Sequence, residues 1–163
     1  MIKTIAMKIA VTIGALFTLV VIAIAGIRLA SDGPVAMLPG GPMSGVLATD
    51  SFPEIDNAVG ERIELQVNGW YPSSRTVLGF MHDGNLYVPS VQAEKKWWPK
   101  QVLEDPEVLV RRQGTLYPRT ARRITDPLLI SQLREAISNA ETLASSPEMM
   151  TAETTWYFRL DHR

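Results

Sequence analysis

Lys95, Lys96, Trp97, Trp98 and Lys100 bring three ammonium groups and two indoles into one short stretch. Lysines placed this way can clamp a phosphate, and a tryptophan face can cover a flat ring. Two other roles suit the same residues. One Trp could fill a barrel mouth while the lysines stay in water, or the cluster could face lipid, because Trp and Lys favour membrane interfaces. A second patch, Ser73-Ser74-Arg75, offers hydroxyls and a guanidinium to an anion, although serines beside Pro72 also serve to close a turn. Ser74, Arg75, Lys95, Lys96 and Trp98 are therefore the candidate cofactor contacts. No catalytic residue emerges.

Much other chemistry is disfavoured. There is no cysteine, which removes disulfides, thiolate catalysis, Fe–S clusters and cysteine-based zinc sites together. The two histidines are His82, in an expected hairpin turn where solvent exposure is its expected state, and His162, near the terminus and without an expected role. No protein-built metal site is expected from so few nitrogen ligands. A hydrolytic triad would have to rest on His82, and no Gly-x-Ser-x-Gly elbow is present. Arg111, Arg112, Arg119, Arg122 and Arg123 could form a basic stripe, but acids such as Glu104, Glu107 and Asp126 offer ordinary surface pairing.

The charges divide unevenly along the chain. Residues 1–30 carry Lys3, Lys8 and Arg28 and no acid, so the remainder has a net charge of −4. A domain of that balance lacks the positive footprint on which nucleic-acid binding depends. Residues 9–27 form an uncharged run rich in Ile, Val, Leu and Ala. As a helix this run is roughly 28 Å long, close to the ~30 Å hydrocarbon thickness of a bilayer. Thr12 and Thr18 are tolerable there, because a hydroxyl can bond a carbonyl one turn back. Arg28 can snorkel toward head groups. The rival reading is a secretory signal cleaved after Ala25, but the apolar run exceeds the ~7–15 residues usual for a signal core. Lys3, Lys8 and the amino terminus outweigh Arg28 and favour a cytoplasmic N-terminus. Gly14 and Thr18 form a small-xxx-small spacing that could admit a neighbouring helix.

Residues 31–45 are punctuated by Gly33-Pro34, Pro39-Gly40-Gly41-Pro42 and Gly45, and read as a linker. Its apolar Met37, Leu38 and Met43 suit contact with the membrane surface or the domain. Residues 61–69 alternate, with Ile63, Leu65 and Val67 on one face, as in a half-buried strand. Strands over 75–81 and 86–91 flank the turn His82-Asp83-Gly84-Asn85. About two turns of helix precede Asp105-Pro106. A second hairpin, 107–112 and 115–124, surrounds Gln113-Gly114. Thr125-Asp126-Pro127 starts a helix whose face is Leu129, Leu133, Ala136, Ile137 and Ala140, with a stop at Ser145-Ser146-Pro147. A last strand over 154–160 puts Trp156 and Phe158 on one face and Tyr157 and Arg159 on the other. The expected fold is mainly β, a small split barrel of five or six antiparallel strands with one packed helix, behind a transmembrane helix. The divisions are residues 1–30 as anchor, 31–45 as Gly/Pro linker and 46–163 as an extracytoplasmic barrel domain.

Residues 75–127 resemble the split β-barrel proteins that bind flavin or deazaflavin, above all the deazaflavin-dependent nitroreductase branch and its pyridoxamine-phosphate-oxidase-like relatives. The resemblance lies in the strand, Asp-Gly turn, strand and Trp-bearing loop, with Trp98 eight residues before Pro106 in Asp105-Pro106-Glu107-Val108. Gly114, Tyr117, Ala121 and Thr125-Asp126-Pro127 continue it. The resemblance implies a flavin or deazaflavin cofactor, redox chemistry and a homodimer with the cofactor between subunits. Two departures stand out: Ser73-Ser74-Arg75-Thr76 has no adjacent glycine, and Gln92-Ala93-Glu94-Lys95-Lys96 replaces a Gly-rich loop. Glycines let backbone N–H groups approach a phosphate closely. Two functions are therefore expected. One is an accessory subunit on a membrane protein complex that keeps the barrel without the cofactor; the alternative is a nitroreductase-like oxidoreductase. The anchor and the cleaved-signal readings of residues 9–27 both place the domain outside the cytoplasm, in the periplasm of a bacterium.

Overall fold

The computed structural model describes residues 2–36, 38–49, 52–55, 60–139 and 150–163. Helix α1 spans Ile2–Ala30. Within it, Met7–Gly26 has a mean hydropathy of 2.6 and none of it is buried against the rest of the chain. A helix so apolar and so uncovered is long enough to cross a bilayer, and a signal sequence has the same character. The two threonines within Met7–Gly26 satisfy themselves as expected. Thr12 Oγ1 donates to the Lys8 carbonyl and Thr18 Oγ1 to that of Gly14, both at 2.9 Å.

Six antiparallel strands follow and close on themselves. They are β2 (Glu61–Val67), β3 (Ser73–His82), β4 (Asn85–Ser90), β5 (Glu107–Arg112), β6 (Thr115–Arg123) and β7 (Trp156–His162). The ring runs β6-β5-β2-β3-β4-β7, and β7 pairs back to β6. A two-residue strand, β1 (Val46–Leu47), lies parallel to β6 outside the ring. Both expected hairpins turn through consecutive positive φ angles, 48° and 72° at Asp83-Gly84 and 51° and 80° at Gln113-Gly114. That pair of signs matches the type I′ turn, whose twist suits the flanking strands.

Period-two alternation sorts the side chains. Ile63, Leu65, Val67, Val108, Val110, Tyr117, Ala121, Phe158 and Leu160 fill the barrel interior. On the outer wall Phe80, Tyr87 and Tyr157 meet Leu133 and Ile137 of helix α3 (Pro127–Asn139). Helix α3 begins where Asp126 Oδ1 accepts the Leu128 N–H at 3.0 Å. Ala140 and the stop at Ser145-Ser146-Pro147 lie outside the described residues, as does Met37. Tyr157 is completely buried, and its hydroxyl donates to the Met150 carbonyl at 2.7 Å. Tyr157→Phe is expected to cost about 1 kcal/mol, the usual net worth of such a bond, measurable as a lowered urea midpoint at unchanged slope.

Strand β3 explains why the barrel is split. Residues 73–79 pair with β2, whereas only Phe80, Met81 and His82 pair with β4. The first half of β3 therefore has a free edge, and Gly40, from the segment 31–45, pairs with it at Ser74. Gly40 N–H donates to the Ser74 carbonyl at 2.9 Å, and Ser74 N–H returns to the Gly40 carbonyl at 3.1 Å. Gln66 Oε1 accepts the Met43 N–H at 2.6 Å. Arg111 reaches out from β5 to the Asp32 carboxylate at 2.8 Å, to the Asp32 carbonyl at 3.0 Å, and to Glu64. Of the two surfaces expected for this segment, it lies on the domain, as a strap.

Candidate functional site

The strap decides the position of Ser74. Neighbours in a strand point to opposite faces, so Ser74 faces outward and Arg75 inward. Ser74 is 0% exposed, and its Oγ donates to the Gly41 carbonyl at 2.6 Å. The hydroxyl expected to meet an anion is spent on holding the strap. Ser73 is buried too.

Helix α2 (Trp97–Glu104) separates the two tryptophans for a comparable reason. Successive helical residues are turned by about 100°, so Trp97 and Trp98 cannot share a face. Trp98 is 3% exposed, belongs to the interior cluster, and its ring centroid lies 5.5 Å from that of Phe158. Trp97 stays 45% exposed. Of the three roles open to the cluster, Trp98 takes the structural one, plugging the barrel. Lys95, Lys96 and Lys100 are exposed.

Three of the five candidates nevertheless converge. Arg75 places its guanidinium carbon 5.7 Å from the centre of the Trp98 ring, a cation–π contact. The same guanidinium acts on Lys96. Partial desolvation, followed by repulsion from Arg75, holds the Lys96 ammonium below its ordinary pKa although the residue as a whole is exposed. A neighbouring like charge disfavours the charged form of the lysine. Lys95 ends a short 3-10 turn and Ser74 lies on the far face of the sheet, so neither completes a cage.

A ring-and-phosphate cofactor fits these residues poorly. The cation pair suits an anionic group, but the aromatic shelf is inside the core and the serine is under the strap. Among the described residues no group of three His, Asp or Glu side chains is placed to hold a metal ion.

His82 departs from its expected exposure. Its side chain is 21% exposed, 3.6 Å from the Asp83 carboxylate, beside the Tyr87 ring and in a hollow with Gln132 and Glu135 of α3. Three of the five arginines pair with acids, though not with Glu104, Glu107 or Asp126, and only Arg122 does so in an exposed position. Arg111 holds Asp32 and Glu64, Arg112 holds Glu61, and Arg122 holds Asp161. Arg123 lies on the Trp156 ring at 3.6 Å. What the sequence reading missed was the strap, whose Gly40 and Ser74 lie far apart in the chain. Its only local signal was the glycine pair Gly40-Gly41, which permits close backbone approach.

No family model matches the sequence, and no curated protein matches it. Solved structures are similar to it at low identity. A NimC/NimA family protein from Clostridium acetobutylicum is 19% identical, with 61% of this chain and 70% of that one covered at a TM-score of 0.43. A FAD-binding protein from Mesorhizobium loti is 16% identical, with 65% and 84% covered at 0.42. An F420 reductase is 12% identical, with 68% and 94% covered at 0.42. The barrel assignment rests on the strand pairings of this chain itself.

Proposed function

We propose that this chain is a membrane-tethered accessory protein. One span with a cytoplasmic N-terminus holds a strapped barrel outside the cytoplasm, in contact with an integral membrane protein complex. The observation that supports this reading is the fate of Ser74 and Trp98. One is sealed beneath Gly41 and the other sits in the core, so the residues that would grip a flavin or deazaflavin serve folding instead. The alternative, a nitroreductase-like oxidoreductase, is favoured by one observation, the Arg75 guanidinium lying over the Trp98 ring at 5.7 Å, which keeps two of the candidate cofactor contacts together.

The test extracts the full chain from its native membrane in mild detergent. The expected result is a colourless protein migrating well above its 18.1 kDa chain mass, retained in vesicles through an alkaline carbonate wash. Added FMN or deazaflavin is expected to leave its unfolding midpoint unchanged, since only a ligand that binds the native state raises it. A lone chain or homodimer that takes up one flavin per subunit would overturn the accessory reading in favour of the oxidoreductase. A mature N-terminus at Gly26 would remove the tether.

A further inference from the structure

Arg119 breaks the pattern of the other arginines. It is 4% exposed and stands between Tyr117 and Ala121 on the inner face of β6, so its guanidinium enters the barrel rather than leaving it. Its Nη1 donates to the Pro118 carbonyl at 2.8 Å. The rings of Phe52 and Tyr117 lie 5.8 and 5.7 Å away. Among the described residues no carboxylate comes within ion-pair distance of it. Burial pulls its pKa down, yet a guanidinium does not give up its proton in a protein. A buried charge without a counter-ion is costly, and natural folds pair it.

The guanidinium lines a pocket of about 240 Å³ at this mouth of the barrel, with Phe52, Met81, Leu86 and Leu160 as apolar walls. At ~30 Å³ per water this is about eight water volumes, just below the ~300 Å³ at which drug-sized ligand pockets begin and room for a small molecule. His162 pairs with Arg119 across β6 and β7 and shares its inward face at the rim. Asp161 also borders the pocket but belongs to the outer face, where Arg159 at 2.7 Å and Arg122 at 3.1 Å neutralise it. The site thus combines one forked cation with a hydrophobic body, and it lies apart from Arg75 and Lys96.

We propose that this mouth binds a small monocarboxylate with an apolar, preferably aromatic, body. The carboxylate takes the planar fork of Arg119, and the body packs against Phe52, Met81 and Leu160. A phosphate dianion suits it less, because one guanidinium among apolar walls leaves half of that charge uncompensated. The same carboxylate chemistry exists within the chain at Asp50 and Asp56, which flank Phe52 in sequence. The test separates the two sources.

The full chain in mild detergent is titrated with benzoate, acetate and inorganic phosphate, following Tm and binding heat. Benzoate is expected to raise Tm with concentration and to bind at least about tenfold tighter than acetate or phosphate. Arg119→Met is expected to lose at least about tenfold in benzoate affinity while its Tm without ligand is unchanged or higher, because the lone charge is gone. Arg119→Lys keeps the charge without the fork, and is expected to fold and to bind benzoate at least about tenfold more weakly. Asp50→Asn/Asp56→Asn is expected to change neither Tm nor affinity. The proposal falls if benzoate shifts nothing up to about 10 mM, if phosphate binds as tightly, or if Arg119→Lys binds benzoate as the wild type does. A lower Tm with tighter benzoate binding in the aspartate variant would assign the pocket to the chain's own carboxylate.

Discussion

Trp98→Ala is expected to destabilise the barrel by about 3–5 kcal/mol, the cost of emptying a well-packed core position of an aromatic ring. Trp98 is 3% exposed, touches Phe158 and belongs to the cluster that includes Leu65, Val88 and Val110. The cavity would also remove the π face beneath Arg75 and leave that guanidinium partly buried over a void. In urea, with a slope of about 2 kcal/mol per molar, the midpoint should fall by roughly 2 M. Trp98→Phe should recover most of the loss, because it keeps a ring against Phe158. A ligand-shelf role predicts a different pattern, in which Trp98→Ala folds with a stability within about 0.5 kcal/mol of wild type. Urea unfolding of the three proteins in one detergent therefore distinguishes a plug from a shelf without knowledge of any ligand.

Local reasoning did not tell Trp98 from Trp97, but it sufficed where one element's own period decides burial. The strands with a two-residue rhythm were legible because their inner residues, Ile63, Leu65 and Val67, needed only one neighbour to be buried against. The hairpins were legible because Asp83-Gly84 and Gln113-Gly114 tolerate positive φ. The face of α3 was legible at Leu133 and Ile137, both fully buried. Even Arg119 was readable in principle. Alternation along β6 places it with Tyr117 and Ala121, and treating five arginines as one stripe hid that phase.

The unread parts share one physical cause: each depends on a contact between residues far apart in the chain. Gln66 belongs to the polar side of β2, yet it is buried, because the strap lies across it. Ser74 belongs to a turn-like run, yet it is sealed by Gly41. Residues 31–45 carry linker composition, Gly and Pro with few hydrogen-bonding side chains. That composition reports only that they form no regular element, and says nothing about whether their backbone groups find partners elsewhere. A free strand edge attracts such backbone, and the first half of β3 supplies one.

That strap can be released by a single methyl group. A Cβ on Gly40 would run into the carbonyl of Gly33 and the nitrogen of Pro34, which are backbone atoms and cannot swing aside. Gly40→Ala is therefore expected to open the strap while leaving the six-stranded ring intact. Losing two or three backbone bonds and the Ser74–Gly41 bond should lower local protection by about 1–3 kcal/mol. This is roughly a 5- to 150-fold faster amide exchange over residues 33–44, with β5 and β6 unchanged. Acid should do the same more gently. Hydrogen bonds from the Ser44 backbone and hydroxyl, then the Arg111 charge, hold the Asp32 carboxyl below its ordinary pKa. A depressed folded-state pKa contributes stability that is present above the unfolded value of about 3.9 and fades as pH falls through the lowered one. Exchange over residues 33–44, corrected for intrinsic rate, should accelerate below about pH 4 in the wild type. In Asp32→Asn it should be faster at neutral pH and lack that acid step. Equal protection of residues 33–44 in Gly40→Ala and wild type would mean that the Gly40–Ser74 pairing does not hold this segment in place, and Ser74 would return to the candidates for an anion.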